Sequence, residues 1–473
     1  MAKKNKNNKK QHEEKHKRAR KAFEIPAVGI IDNIILTRKE AWAYFQISEK
    51  PYLFLSTPAK VQLANSTISS LSGICQSANK KVDCHLIIST IPFDPSAWED
   101  DLLRKHYAYS GADVHTNHQA FLDFIKDQAD SLYESEYQKR VAYIGVKIAQ
   151  RGAVENGLIN PLEFGFKEAY DSFKKAVNAL FVFNEFEITS EEEKKMRQLE
   201  ETLYNALSSS GLQARRPSSE DLLLLIKRRL YPAMPTPFLE TDYENRVGLS
   251  DITLETGSEI EEKARYVKIT QISNGYELSG YRATLSFSKF PKELMFPSNI
   301  PPFLHKSIML PFTANCRFSL IPTENMKKDL YKKQLDTDDE INNLLESGQK
   351  ATESLKATVK DQAILEKDLE EENLPWISGN YRITVEAPTE EDIRSMVENL
   401  KQDYSEHDFT LTWTSGDQLD LLQEEMPGGV LKMNDFAQTT NLALLGLAGI
   451  NYGGAVGDPV MIRNRTSLRN RGD

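Results

Sequence analysis

"KVDCHLIISTIPFD" at residues 81–94 and "YQKRVAYIGVKIAQRG" at 137–152 decide the fold class. Each sets a continuous apolar run between charged or turn residues, the pattern of a strand buried on both faces. Between them, "HQAFLDFIKDQADSLYESEYQKR" carries Phe121, Phe124, Ile125, Leu132 and Tyr133 at helical spacing. A helix leading into a buried strand predicts a layered α+β structure. Neighbouring strand residues point to opposite faces, so Cys84 is expected as a buried thiol and His85 as a surface imidazole.

Upstream, "VGIIDNIILTRKEAWAYFQI" (28–47) reads as two short strands bent at Asp32-Asn33, with Trp42, Tyr44 and Ile47 near strand period. Downstream, "TSEEEKKMRQLEETLYNALSSSG" (189–211) predicts a helix. Thr189 or Ser190 caps it, Gly211 stops it, and its stripe is Met196, Leu199, Leu203, Ala206 and Leu207. "RPSSEDLLLLIKRRLYP" (216–232) predicts another, with Ser218 as cap, Asp221 in the capping-box position, a basic last turn and Pro232 as stop. The Pro-rich "YPAMPTP" (231–237) reads as a domain boundary.

Beyond it, Asn274-Gly275 predicts a hairpin within "YVKITQISNGYELSGYRATLSFSKFP". Met326 to Asn373 is almost purely helix-forming and highly charged. Its thin stripe is Leu330, Leu335, Leu344, Leu355, Val359, Leu365 and Leu369. As one straight helix of about 45 residues it would reach roughly 65–70 Å; Gly348 offers a turn. After Pro375 the text is β-α-β: "YRITVEAP", a helix capped by Thr389 with Asp392, and "FTLTWTS", closed by "DQLDLLQEEMPGG". The expected fold is α+β. It comprises two mixed sheet/helix subdomains with a long charged helical hairpin or stalk, preceded by a disordered basic arm. The expected divisions are an arm at 1–23 and a first subdomain at 24–235. A second follows at 236–425 with a helical insertion about 326–373, then a linker and entry strand at 426–473.

The chain has 473 residues, 40% hydrophobic and 27% charged, as in globular proteins of two or three domains. Its net charge of -10 is uneven. Residues 1–22 hold ten Lys/Arg against two Glu, a balance of +8, which leaves -18 for the rest. Lys3, Lys4, Lys9, Lys10, Lys17, Arg18, Arg20 and Lys21 are the candidate contacts to anionic lipid or nucleic acid. The arm has no apolar core, so it reads as neither a secretory signal nor a membrane span. Three cysteines (Cys75, Cys84, Cys316) are an odd, sparse set that fits a reducing compartment.

The chemistry motifs are missing. No G-x-x-x-x-G-K-[ST] loop is present to cradle phosphates, and "ESGQKAT" (346–352) reads as a polar turn. Cys75, Cys84 and His85, or His115 and His118, lack the paired spacing of a zinc site. No G-x-S-x-G appears and no catalytic residue is assigned. Arg463, Arg465, Arg469 and Arg471 form a second basic cluster after "NYGGAVGDPV", a Gly-rich turn that reads as the entry to a nucleotide-binding module.

The order of these landmarks resembles the N-terminal half of conjugative type IV secretion ATPases of the CagE/TrbE/VirB family, in the form found on Gram-positive conjugative elements. "GIIDNIILTRKEAWAYFQI", "RVAYIGVKI", "SGLQARRPSSEDLLLLIKRRLYP", the charged stretch 326–373, "YRITVEAPTEEDI", "DQLDLLQEEMPGG" and "TTNLALLGLAGINYGGAVGDPV" carry the likeness across roughly residues 24 to 460. In that family the Gly-Asp-Pro segment leads into a RecA-like ATPase domain. Gly453, Gly454, Gly457, Asp458 and Pro459 would thus form the seam to that domain, whose ATP and Mg have no counterpart motif here.

The resemblance implies a peripheral component of a DNA-transfer machine at the cytoplasmic face of the membrane. It would dock to inner-membrane platform subunits of the channel and self-associate, without an integral span. The alternatives are a free-standing scaffold subunit, or a nucleic-acid-binding accessory protein that uses the basic arm.

Overall fold

Residues 42–47 send Trp42 and Tyr44 to one face of a strand and Ala43, Phe45 and Ile47 to the other, and both sets are buried. Such a strand needs a layer above and a layer below. The structure, a computed structural model, describes residues 23–48, 55–92, 122–128, 137–150, 190–291, 312–441 and 461–463, with 99, 102 and 103. Left out within those ranges are 79, 240, 244, 274–275, 348–349, 351 and 372–373.

In chain order the first elements are β1 (Ala27–Ile31), β2 (Ile34–Thr37), β3 (Glu40–Ile47), α1 (Thr57–Ala78), β4 (Val82–Pro92), β5 (Tyr137–Gln150), α2 (Ser190–Ser208), α3 (Ser219–Arg228), β6 (Arg246–Val247) and α4 (Leu249–Glu255). Then come β7 (Glu259–Glu262), β8 (Val267–Ser273), β9 (Tyr276–Lys289), β10 (Phe312–Ile321), α5 (Thr323–Glu346), α6 (Glu353–Glu371), β11 (Trp376–Ala387), α7 (Glu390–Ser405), β12 (Thr410–Thr412), α8 (Gln418–Glu425), β13 (Gln438–Asn441) and β14 (Met461–Arg463). Residues 122–128 are also helical. The protein is α+β, with one large antiparallel sheet.

The strand order is β6-β1-β2-β3-β5-β4-β10-β11-β9-β8-β7. Without β6 it is a palindrome. The meander β1-β2-β3 answers to β7-β8-β9, β4 to β10, and β5 to β11. In the first half β5 lies between β3 and β4, while Arg215 bridges to Gln46 of β3. In the second half β11 lies between β9 and β10, while β12 pairs with β9. Each half thus has the split strand order of a ferredoxin-like β-α-β-β-α-β unit. The connection from β9 to β10 falls outside the described residues. Helices α2 and α7 hold equivalent places, and both open on acidic residues, Glu191–Glu193 and Glu390–Asp392, as a helix N-terminus favours.

The halves join through β4 and β10, where Cys84 faces Phe318, His85 faces Arg317 and Leu86 faces Cys316. One sheet face is covered by α1, α2 and α7 through Leu71, Ile74, Leu207, Val397 and Tyr404. The other is covered by α3, α4 and α8 through Leu222, Ile226, Ile252 and Leu422. At about 1.5–3 kcal/mol for each large apolar side chain buried, these two layers are the main source of stability.

Four expectations are corrected. Residues 28–47 form three strands, not two. A second turn falls at Arg38-Lys39, where the Thr37 hydroxyl accepts from the amides of Lys39 and Glu40. In α2, Leu199 is exposed and Glu200 is buried. The inward stripe is therefore Met196, Glu200, Leu203 and Leu207, made tolerable by bonds to Glu200 from Asn33 and Arg216. His85 is fully buried, because helices cover both faces of its strand. Only part of the stripe in α5 and α6 is buried. Leu330 and Leu369 form a small core with Met326 and Trp376, whereas Leu335 and Val359 are exposed. The two helices are tied by Gln334 to Glu366 (3.0 Å) and Gln362 to Thr337 (2.9 Å).

Ser273 pairs with Tyr276 across the two-residue link at Asn274-Gly275. In the Pro-rich stretch 231–237, Met234 and Thr236 are buried.

Candidate functional site

The α3 cap forms as the residues dictate. The Ser218 hydroxyl accepts from the Asp221 amide (3.1 Å), and the Asp221 carboxylate accepts from the Ser218 amide (2.9 Å). This fixes the helix axis over the sheet and drives its basic end inward. Lys227 meets Glu255 at 2.6 Å, and Arg228 meets Glu386 of β11 at 2.7 Å. Arg229 donates to the Ser89 hydroxyl. Its Nε lies 3.2 Å from Glu425, near enough for an ion pair but not aligned as a hydrogen bond.

Three more arginines rise from the middle of strands. Arg282 of β9 bridges Glu386 and Glu425, and Arg382 of β11 pairs with Glu424. Arg317 of β10 donates to the carbonyls of Glu424 (3.1 Å) and Met426 (3.4 Å) and stacks over Trp42 at 5.0 Å. Five arginines therefore surround three glutamates. Two of these, Glu424 and Glu425, end α8. The Thr384 hydroxyl donates to Glu425 at 2.9 Å, and the amides of Lys432 and Met433 donate to Glu424. The arginines outnumber the carboxylates, and Arg317 is held by backbone carbonyls in place of a carboxylate; in an interior of low polarity each such partner counts.

Past α8 the chain crosses to the first half. Gly428, at φ 76°, donates its amide to the Tyr44 hydroxyl at 2.8 Å. Any Cβ there would stand 2.8 Å from Thr37 Cγ2. Asn315 Oδ1 can only accept, so His85 Nε2 donates to it (2.7 Å); Nδ1 of the neutral ring then accepts the Tyr44 hydroxyl proton (2.9 Å). The relay is complete with a neutral imidazole. The loop after α3 makes the reciprocal crossing. The Leu230 carbonyl accepts from Gln271 (2.8 Å), and a Cβ on Gly280 would stand 1.8 Å from the Pro232 carbonyl oxygen.

The electrostatics follow from burial. Burial, then Arg317, push His85 well below its ordinary value of 6.5, against the Asn315 bond. Burial pushes Tyr44 up to about 12, although Arg317 and the Gly428 amide pull it down. Arg229, Arg317 and Arg382 are each lowered to about 10 by burial. Burial alone would raise Glu425, but Arg282 and Arg229 together outweigh it and hold the carboxylate below its ordinary value. Burial raises all three thiols, Cys75 to about 11. None is set up as a nucleophile. Among the described residues no three His, Cys, Asp or Glu gather as metal ligands. The arrangement is suited to holding residues 424–433 against both halves of the sheet.

Of the residues singled out in the sequence, His85 joins the relay and Ser218 and Asp221 cap α3. Lys3, Lys4, Lys9, Lys10, Lys17, Arg18, Arg20 and Lys21, His115 and His118, and the seam Gly453, Gly454, Gly457, Asp458 and Pro459 fall outside the described residues. Arg463 ends β14, which pairs with β5. The hub residues carry a signal in the sequence. Tyr281-Arg282-Ala283-Thr284 and Tyr381-Arg382-Ile383-Thr384 repeat one Y-R-x-T pattern, each with an arginine inside a strand. The two are paired, with Thr284 opposite Thr384 and Arg282 opposite Glu386.

Fold and site define an α+β scaffold in which groups from both halves of one sheet hold residues 424–433. No family model matches the chain, and no curated protein matches it at a significant level. No helix among the described residues is long and apolar enough to cross a membrane.

Proposed function

We propose that this chain is the docking and assembly region of a conjugative type IV secretion ATPase. The observation that carries the reading is the clamp on residues 424–433. Tyr44 from the first half, and Arg317 and Arg382 from the second, hold the segment that leads toward the Gly-Asp-Pro seam. A motor joined there would pull on both lobes at once, and the buried ion pairs would pass that load into the sheet. The order of the sequence landmarks supplies the family.

On this reading the helix pair α5–α6 is a projecting stalk, and the acidic body sits at the cytoplasmic face of the membrane. Its basic arm faces anionic lipid, where each Lys/Arg contributes about 1 kcal/mol. ATP and Mg belong to the motor domain. Its partners are platform subunits of the channel and further copies of itself.

The test is affinity capture from gently solubilised membranes of the native cells, followed by mass spectrometry. Recovery of short inner-membrane subunits of a transfer apparatus, and of a polypeptide that carries these residues together with both Walker motifs, supports the reading. Recovery of nucleic acid alone, lost steeply as salt rises, replaces it with the accessory-protein reading.

A further inference from the structure

The palindrome makes the two ends of the sheet comparable. β1 and β7 hold equivalent places, each the first strand of a three-stranded meander. β1 is not the last strand on its side. The chain returns to it as β6, and Arg246 and Val247 pair with Ile31 and Ile30. On the other side the order stops at β7, and no described strand pairs with its outer edge.

That edge is backbone ready to pair. The Lys263 amide bonds the Tyr266 carbonyl at the hairpin end (2.9 Å). Antiparallel alternation therefore turns the amides and carbonyls of Glu259 and Glu261 toward β8 and those of Ile260 and Glu262 outward. Among the described residues no hydrogen bond satisfies these outward groups. Ile260 packs on the core beneath α3, so the strand is anchored. The side chains are Glu-Ile-Glu-Glu, and Glu259, Glu261 and Glu262 are exposed. Like charges directly opposite one another destabilise a ladder, so this edge rejects its own copy in another molecule. A basic strand meets no such penalty. The equivalent edge shows the mode, an Arg-Val dipeptide added to an apolar strand.

We propose that β7 is a strand-addition site for an extended basic segment of a partner protein. Backbone bonds to Ile260 and Glu262 give the affinity. Glu261 pairs with Lys263 and Glu262 accepts from the Leu419 amide, yet three glutamates against one lysine leave the edge negative, which favours Lys or Arg in the added strand. The inference rests on sheet topology and edge charge, and stands apart from the family reading.

The probe is a synthetic octapeptide, Lys-Val-Arg-Val-Lys-Val-Arg-Val, titrated into the full chain by fluorescence anisotropy, with hydrogen exchange followed by mass spectrometry. Saturable binding is expected, with new protection confined to residues 259–263. The same peptide N-methylated at alternate residues, which cannot complete the ladder, is expected to bind at least tenfold more weakly, and Glu-Val-Glu-Val-Glu-Val-Glu-Val not at all. In the protein, Ile260→Pro removes an outward amide without touching the bonds to β8, and is also expected to weaken binding at least tenfold. The methylated peptide keeps the test sharp if that variant folds poorly. No binding, protection elsewhere, or equal binding of the methylated peptide would overturn the proposal. The last result would mark a mere charge attraction.

Discussion

His85 and Arg317 stand opposite each other across the β4–β10 pair, at the centre of the palindromic sheet. Both point to the face covered by α3 and α8, and both act on the loop after α8. Arg317 holds the carbonyls of Glu424 and Met426, and His85 holds Tyr44, which holds Gly428. The seam between the halves and the anchor of the C-terminal segment are thus one structure.

Tyr44→Phe should destabilise the fold by about 1–3 kcal/mol, since it leaves the Gly428 amide and His85 Nδ1 buried without partners. Urea unfolding measures this, and hydrogen exchange should quicken at Gly428 before it does at the β4–β5 strands.

Protonation of His85 gives a pH dependence of known sign. Its folded value lies well below the unfolded 6.5, so the unfolded chain takes up the proton first. The stability from neutral His85 is whole above about 6.5 and falls below it by about 1.4 kcal/mol per pH unit. Glu425 is lowered from 4.5, so its contribution holds above that value and is lost only at more acid pH. Denaturation midpoints between pH 7 and 5 should therefore slope in the wild type and flatten in His85→Gln.

Removing one partner from the hub should cost far more than removing one at the surface. Glu425→Gln leaves Arg282 and Arg229 buried against a neutral group and should cost about 3–5 kcal/mol. Glu398→Gln, which breaks the exposed mid-helix pair with Lys401, should leave the melting temperature nearly unchanged. Adding Arg282→Met to Glu425→Leu should recover only part of the loss, because Arg229 still lacks its carboxylate, and a double-mutant cycle reads the coupling.

Gly428→Ala should destabilise by about 1–3 kcal/mol, because its positive φ and the Thr37 contact both resist a side chain. Gly73→Ala, mid-helix in α1 with nothing within 4 Å, should stabilise by up to about 1 kcal/mol. Thermal melts of the pair separate backbone constraint from a general sensitivity to alanine.

What the sequence made legible follows the range of the forces involved. The Ser218–Asp221 cap, the Thr389 cap and the Asn274-Gly275 link are local, and their residues state them outright. The buried runs 82–92 and 137–150 announce strands covered on both faces, but not which strands flank them. The β4–β10 junction joins residues more than two hundred apart, and no periodicity encodes that. For His85, alternation predicts a face and not what covers it. The hub stayed hidden because Lys227 and Arg228 at a helix end, or Glu424 and Glu425 in "LLQEEM", look the same whether solvated or paired in the core. Only the arginines inside strands, in the repeated Y-R-x-T, broke the usual pattern.

The central claim is tested most directly by DNA transfer from the cells that make this protein. Transfer frequency of the mobile element should be measured with the encoding gene deleted, restored, and restored with Tyr44→Phe and Arg317→Met together, at matched protein levels. The account predicts loss of transfer on deletion, recovery with the wild-type gene, and a deep defect for the double variant while the protein still reaches the membrane. Unchanged transfer after deletion would contradict it.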